Sequence, residues 1–173
     1  MTAINLKRHA AFVSLGSNLG DKKDNCLRGL ESLASSGHAK IVKRSRFCRT
    51  DPVDYLDQDW FVNAMVKVET DLGPHDLMRS LLDIEAALGR LRESAVRFGP
   101  RIIDLDLIFY GTRRIESDTL VVPHPRMHRR RFVLEPICDI EPELLHPVLK
   151  KTMRQLLADL ALDGQKLTWL DDD

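Results

Sequence analysis

The segment from Val96 to Gly111 constrains the fold of this 173-residue chain more than any other stretch. Its second half, residues 102–110, is rich in apolar, β-branched and aromatic side chains, which predicts a strand. Two acids, Asp104 and Asp106, interrupt this strand. Because alternate side chains of a strand share a face, we expect both acids on one face and the apolar positions on the other, namely Leu105, Leu107 and Phe109.

The two acids need a positive partner, because burying unpaired carboxylates is costly. Two interpretations follow from the pair alone. The acids could be paired with arginine at a sheet edge. They could instead hold a hard divalent cation such as Mg²⁺, which prefers oxygen ligands and is commonly held by one or two carboxylates together with substrate phosphates.

Four arginines lie in the segment that leads into the strand, beside a turn at Gly99-Pro100: Arg90, Arg92, Arg97 and Arg101. A guanidinium is a planar fork of donors that suits phosphate oxygens. A short arginine cluster can also be a solvated charged loop. Next to a paired-acid metal site, however, the arginines favour chemistry on the phosphates of a nucleoside triphosphate.

The run FGPRIIDLDLIFYG resembles the signature of the 6-hydroxymethyl-7,8-dihydropterin pyrophosphokinases, a family of folate-pathway enzymes. The resemblance extends to VSLGSNLGD near the start, to RT…FVNAMVKVET in the middle and to VPHPRMHRRRFVLEPI later. It implies that ATP and a reduced pterin are the partners. It also implies transfer of pyrophosphate to the pterin hydroxymethyl group with two Mg²⁺ ions, an arrangement in which metals can clamp both sides of the displacement.

The resemblance assigns roles to individual residues. The catalytic residues that it implies are Arg90, Arg101, Asp104 and Asp106, the two acids being the metal ligands. The implied ATP-binding residues are Glu85, Arg101, His124 and Arg130. The implied pterin-binding residues are Thr50, Phe61, Asn63 and Phe132, with the phenylalanines stacking on the pterin, the asparagine amide reading its edge and the threonine acting through its backbone.

Taken without the resemblance, several of these residues have ordinary structural interpretations. Phe61 and Phe132 could be core residues, and Glu85 could be a solvated helix side chain. His124 could be a surface histidine, and the basic run 129–131 could be a solvated face. Within this basic segment, the resemblance favours a functional role for His124 and Arg130 but not for Arg129 or Arg131.

The chain departs from the family pattern around residues 90–98. It carries one extra residue there, which leaves the roles of Arg92 and Arg97 open. Phe98 stands where many members have Trp, and Pro125 stands where some have Tyr. From its polar composition, we expect the loop from Leu91 to Pro100 to be mobile without ligands and to close over both substrates.

The order of the elements predicts an α+β fold, a ferredoxin-like antiparallel sheet with helices packed on its faces. Strands are expected at 11–15, 41–48, 62–68 and 102–110, and the third of these at half burial. A first helix, capped by Asn18 or Asp21, is expected to bury Leu27, Leu30, Leu33 and Ala34. A second helix starts at Gly73-Pro74 and buries Leu77, Leu81, Ile84 and Leu88, and a last helix contains Met153, Leu156, Leu157 and Leu160.

We expect residues 1–173 to form a single pyrophosphokinase domain, with a core over about residues 10–160 and a short acidic tail. The formal net charge is zero, which gives no attraction to nucleic acid or to a membrane surface. Three widely spaced cysteines indicate a reducing compartment, and no apolar stretch has membrane-spanning length, so a cytoplasmic protein is expected. We also expect the protein to be a monomer.

Two other functions compete with the pyrophosphokinase. A two-metal nucleotidyltransferase can combine Gly-Ser with Asp-x-Asp, but its Gly-Ser is expected close before the acids. Gly16-Ser17 lies far upstream of them. A non-enzymatic ferredoxin-like binding module, for example for RNA, is expected to carry exposed aromatics and a basic charge. Aromatic residues make up only 6% of this chain.

Overall fold

The computed structural model describes residues 8–53, 56–89, 99–160 and 165–171. The strands in these ranges are β1 (His9–Ser17), β2 (Ala39–Arg44), β3 (Cys48–Thr50), β4 (Phe61–Thr70), β5 (Asp104–Tyr110), β6 (Ile115–Glu116), β7 (Val121–Val122) and β8 (Leu167–Trp169). The α-helices are α1 (Lys22–Ser35), α2 (Pro74–Ala87), α3 (Arg131–Ile140) and α4 (Met153–Asp159), and a 3₁₀ turn covers Met127–Arg129. No described helix is both long enough and apolar enough to cross a membrane.

The main sheet has the strand order β5-β1-β4-β3-β8, and β2 also pairs with β4. Each of these pairings is antiparallel. This is the ferredoxin-like order, with the expected second strand divided between β2 and β3, so the predicted fold class is confirmed. The first strand, β1, lies inside the sheet, between the acid-bearing β5 and the long β4.

Helices α1 and α2 cover one face of the sheet. The predicted face of α2 is confirmed, with Leu77, Leu81 and Ile84 in the core. Helix α1 is capped by the Asp21 carboxylate, which accepts a hydrogen bond from the amide of Asp24. Its predicted face is partly wrong, because Leu27 and Ala34 are exposed. The buried residues of the helix recur every three to four positions and include polar and small residues that an apolar pattern does not show. They are Asn25, Cys26, Gly29, Leu30 and Leu33.

Helices α3 and α4 cover part of the opposite face, around a second core cluster that contains Met65, Val133 and Leu134. The prediction that β4 is half-buried is therefore wrong. Met65, on the face expected to be polar, is fully buried. Helix α3 was not predicted, because Pro136 lies inside it and interrupts the helical sequence pattern.

Strand β5 contains a pairing irregularity that changes which way its side chains face. Phe12 pairs with Phe109, but the next residue, Val13, pairs with Leu107, so Ile108 is an extra residue in the ladder. Leu105 and Leu107 pack with the α1 and α2 core, whereas Phe109 packs in the second cluster. The prediction that Phe109 shares a face with Leu105 and Leu107 is wrong, because a β-bulge shifts the alternation by one residue.

The predicted strand over 41–48 is two strands. Between them, the Ser45 amide donates to the Met65 carbonyl while the Ser45 hydroxyl accepts from the Met65 amide, so the gap stays tied to β4. A short C-terminal strand, β8, pairs with β3 and extends the sheet beyond the predicted core. Its three residues are too few for a periodic pattern to be recognised.

Candidate active site

A cleft of about 250 Å³ opens where the sheet ends beside α3. Residues from separate parts of the chain line it: Ser14, Gly16, Thr50, Asp51, Pro52, Val53, Gln58, Phe61, Asn63, Met78, Arg101, Asp104, Asp106, His124, Arg126, Arg130 and Phe132. Ten residues of the predicted site are therefore brought together here: Thr50, Phe61, Asn63, Arg101, Asp104, Asp106, His124, Arg130 and Phe132 in the lining, with Glu85 directly behind it.

The acid pair is asymmetric. Asp104 accepts a hydrogen bond from the Arg101 guanidinium, with 2.7 Å between Nη1 and Oδ2. For Asp106, by contrast, no hydrogen bond or ion pair appears among the described residues. The sequence left two interpretations open, an arginine partner or a cation, and Asp104 does have the arginine partner. Asp106 faces the cleft, and the charges of Arg130 and Arg101 act on it without a direct hydrogen bond or ion pair.

The environment of Asp106 fits a cation. Burial and the neighbouring Asp104 carboxylate raise the pKa of Asp106 to about 7, although the charges of Arg130 and Arg101 oppose this rise. A divalent cation between two carboxylate oxygens removes this repulsion. Among the described residues no group of three or more His, Cys, Asp or Glu side chains is placed to hold a metal. Two carboxylates with the remaining positions open is the arrangement Mg²⁺ takes when it binds with substrate phosphates.

Glu85 lies behind the acid strand and not in the cleft lining. Its side chain is only 1% exposed, and its Oε1 accepts a hydrogen bond of 2.8 Å from the amide of Leu105, the residue between the two acids. The interpretation of Glu85 as a solvated side chain is therefore wrong. The charge of Glu85 also raises the pKa of Asp106. Glu85 therefore affects the acid pair in two ways, through its charge and through its hydrogen bond to the backbone of the strand that carries both acids.

His124 follows β7 and is placed by its own backbone, whose amide donates to the Ile108 carbonyl at 3.0 Å. Its ring Nδ1 accepts a hydrogen bond from the amide of Arg126. Burial and the charges of Arg130 and Arg126 lower the pKa of His124 to about 4. The ring is therefore neutral at physiological pH, and with Nδ1 acting as acceptor its proton is on Nε2.

Arg130 and Phe132 stand at the start of α3. The Arg130 carbonyl accepts hydrogen bonds from the amides of Val133 and Leu134, which fixes the first turn. Its guanidinium lies 5.5 Å from the centre of the Phe132 ring. Both side chains are half-buried and line the cleft, so a positive group and an aromatic face are presented together.

The opposite wall of the cleft is built around Asn63 of β4. Asn63 is 3% exposed, and its Nδ2 donates a hydrogen bond of 2.6 Å to the hydroxyl of Thr50. Phe61, two residues earlier on the same strand, lines the cleft as well. The sequence pointed to the backbone of Thr50, whereas in the structure its side chain holds the asparagine amide.

Asn18 was considered in the sequence only as a helix cap, yet it connects three parts of the site. The side-chain Oδ1 of Asn18 accepts a hydrogen bond of 2.8 Å from the backbone amide of Arg101, and the backbone amide of Asn18 donates to the Arg101 carbonyl. Its Nδ2 donates to Gln58 Oε1 and to the Asp59 carbonyl. The available signal in the sequence was the asparagine directly after Gly16-Ser17. Gln58, Arg126 and Gly16 were also missed, and single residues of these types carry no distinctive pattern.

Four residues of the sequence prediction, Arg90, Arg92, Arg97 and Phe98, lie outside the described residues. The same holds for most of the predicted mobile loop, since the described part of the chain resumes at Gly99.

Comparisons with known proteins identify relatives of this chain. Residues 12–142 match the family model described as 7,8-dihydro-6-hydroxymethylpterin-pyrophosphokinase (HPPK). A relative from Methylorubrum extorquens, a 2-amino-4-hydroxy-6-hydroxymethyldihydropteridine pyrophosphokinase, is 43% identical over 154 residues, covering 89% of this chain and 95% of its own length. The protein of the same name from Bacillus subtilis is 42% identical over 130 residues, covering 75% and 77%.

A solved structure of Plasmodium falciparum HPPK-DHPS with pterin and p-hydroxybenzoate superposes with a TM-score of 0.70 at 17% identity. The match covers 91% of this chain but only 44% of the Plasmodium chain, so this chain spans less than half of that longer protein. At this identity the superposition supports the fold alone.

Proposed function

The chain belongs to the 7,8-dihydro-6-hydroxymethylpterin-pyrophosphokinase family, and from this premise we propose which of its residues perform each part of the reaction. It is a pyrophosphokinase that transfers pyrophosphate from ATP to 6-hydroxymethyl-7,8-dihydropterin in folate synthesis. The nucleotidyltransferase and the binding module are therefore set aside. The observation that carries our assignment is the joining of Asp104 and Asp106, a neutral histidine, arginines and Asn63 in one cleft.

We propose that Asp104 and Asp106 hold Mg²⁺, as two ions, with ATP phosphates completing the coordination. The support is that both carboxylates line the cleft and that burial, followed by the neighbouring Asp104 carboxylate, raises the pKa of Asp106, an effect that a bound cation would oppose. Bound Mg²⁺ would supply charge neutralisation at the phosphates. Glu85 is proposed to contribute as a positioning residue, because it holds the strand amide between the two acids.

The phosphate side of the cleft is proposed to consist of Arg101, His124 and Arg130. Arg130 offers a permanent positive charge at the start of α3. His124 offers a neutral N–H donor from Nε2, which can bind a phosphate oxygen without losing a proton. Arg101 reaches the same region through its contact with Asp104. Arg90, outside the described residues, remains a predicted catalytic residue.

The pterin side is proposed to consist of Asn63, Thr50, Phe61 and Phe132. A pterin is flat and carries donors and acceptors along its edge, so it suits aromatic faces together with one oriented amide. The buried amide of Asn63, held by the Thr50 hydroxyl, is the oriented group. Phe61 and Phe132 are half-buried and line the same cleft, which leaves ring surface available for stacking.

In the reaction, the pterin hydroxymethyl oxygen forms a bond to the β-phosphorus of ATP. The bond between that phosphorus and the oxygen bridging to the α-phosphate breaks, which releases AMP, and the proton of the hydroxymethyl group is lost to solvent. Holding the two substrates on facing walls of one cleft supplies proximity and alignment for this displacement. We propose that the protein acts as a monomer, which its mass in solution would test.

Calorimetry tests this assignment. Titration of a non-hydrolysable ATP analogue with Mg²⁺ should give saturable binding, and a subsequent titration of 6-hydroxymethyl-7,8-dihydropterin should bind to the binary complex. Asn63→Ala should weaken the pterin step, and Arg130→Gln should weaken the ATP-analogue step. If the pterin bound equally well to wild type and to Asn63→Ala, the assignment of the two walls would be wrong.

A further inference from the structure

Gly16 lies in the sheet between the two functional walls of the cleft. It is the cross-strand partner of Asn63 on β4 and of Asp104 on β5. Its backbone is that of an ordinary strand, without the positive φ that would require glycine. The reason for a glycine at this position must therefore be sought in what surrounds its missing side chain.

A side chain at position 16 would collide with the pterin-side amide. A Cβ built on Gly16 would lie 2.8 Å from Oδ1 of Asn63 and 4.0 Å from Cδ1 of Phe61. Asp104 is not among the three nearest atoms, although it pairs with the same residue. The space kept open by Gly16 therefore belongs to Asn63 and not to the acid pair.

The Asn63 amide is thus confined from two sides. On the β3 side, the Thr50 hydroxyl accepts from Nδ2 at 2.6 Å, and on the β1 side Oδ1 occupies the space above Gly16. Because Asn63 is 3% exposed, the amide has little freedom to find another orientation. The side-chain oxygen Oδ1 and the second N–H of Nδ2 therefore keep fixed positions at the cleft, the acceptor on the β1 side and the donor on the β3 side.

We propose that Gly16 is a specificity-determining positioning residue: the absence of a side chain there lets Asn63 present its acceptor and donor in the order that matches the pterin edge. This inference rests on the proposed pterin-binding role of Asn63. Sites that hydrogen-bond a ligand lose discrimination when a polar group is displaced and left unpaired. A methyl group at position 16 would cause such a displacement.

The test is the affinity of Gly16→Ala for 6-hydroxymethyl-7,8-dihydropterin, measured by calorimetry with the ATP analogue and Mg²⁺ present. We expect the dissociation constant for the pterin to rise by about tenfold or more, with little change for the ATP analogue. The collision involves the end of a side chain and not the backbone, so the variant is expected to fold with the Asn63 amide displaced from its hydrogen bond to Thr50. Gly73→Ala is the matched control, since its Cβ would approach nothing closer than 3.9 Å.

A double-mutant cycle separates this role from a general packing effect. In an Asn63→Ala background the collision is gone, so adding Gly16→Ala should have no further effect on pterin binding. Thr50→Val, which removes the other restraint, should also weaken the pterin selectively and carries the test if Gly16→Ala does not fold. If Gly16→Ala bound the pterin as tightly as wild type while Asn63→Ala bound it more weakly, the inference about Gly16 would be wrong and the proposed role of Asn63 would stand. Unchanged affinity in Asn63→Ala would overturn the proposed pterin wall itself.

Discussion

The Arg101 guanidinium and the Asp104 carboxylate form an ion pair of 2.7 Å, with both side chains only partly exposed. Asp104 is thereby compensated, whereas burial and the Asp104 carboxylate raise the pKa of Asp106, two residues along the strand. This asymmetry gives the two acids different tasks in the protein without substrates. Asp104 keeps Arg101 in place, and Asp106 carries the charge that a cation would relieve.

Asp106→Asn should stabilise the protein in the absence of Mg²⁺. The pKa of Asp106 is raised in the folded state, so the folded protein binds more protons and loses stability as pH rises from about 4 to about 7. The variant lacks this loss. We therefore expect its melting temperature to exceed that of wild type by a few °C at neutral pH and to converge with it near pH 4, given about 2–4 °C per kcal/mol for a chain of this size.

The measurement is the difference between the two melting curves at each pH. The lowered pKa of His124 makes both proteins more stable as pH rises over much of the same range, which is opposite to the effect of Asp106. Subtracting one melting curve from the other removes this shared contribution. Asp118→Asn, the same change at an exposed position, is the matched control. A lower melting temperature for Asp106→Asn at neutral pH would show that the acid is structural.

Phe132→Ala should weaken pterin binding and leave binding of the ATP analogue nearly unchanged, because the ring is half-buried and lines the cleft. Its cost in stability should be well below the ~3–5 kcal/mol typical of a fully buried phenylalanine. Phe109→Ala provides that comparison, since Phe109 is 1% exposed. Parallel calorimetry and denaturant unfolding would decide. Equal weakening of both ligands in proportion to lost stability would count against stacking.

His124 should remain neutral, with its proton on Nε2, from about pH 5 to about pH 8. The reason is its burial together with the nearby charges of Arg130 and Arg126, while Nδ1 accepts the Arg126 amide. Nitrogen-15 NMR of the labelled ring distinguishes the two tautomers and the charged form. A ring that titrates near its ordinary pKa, or a proton on Nδ1, would remove the proposed donor.

Several features of the site could be predicted because they follow from local patterns. Two acids spaced by one residue on an apolar strand must share a face, and helix α2 follows directly from its Pro74 start and its apolar spacing. These two inferences need only the geometry of one element. The pterin wall, by contrast, was implied by the family resemblance and stays a proposal.

Other features could not be predicted, because they depend on contacts between distant segments. The hydrogen bond from Leu105 to Glu85 joins positions 20 residues apart, and Asn18 contacts Arg101 across 83 residues. The β-bulge at Ile108 arises from the pairing of β5 with β1. No pattern within β5 marks the residue at which the register shifts.

Product analysis tests the central claim, that the Asp104 and Asp106 pair forms the reaction centre, most directly. Wild type, Asp106→Asn and Asp118→Asn are incubated with ATP, Mg²⁺ and 6-hydroxymethyl-7,8-dihydropterin, and phosphorus-31 NMR follows the phosphates. We predict that wild type and Asp118→Asn form AMP and the pterin diphosphate in equal amounts, while folded Asp106→Asn loses roughly a hundredfold or more of the rate, as for removal of one preorganised electrostatic contact. If folded Asp106→Asn formed both products at the wild-type rate, the claim that the two acids form the reaction centre would be contradicted.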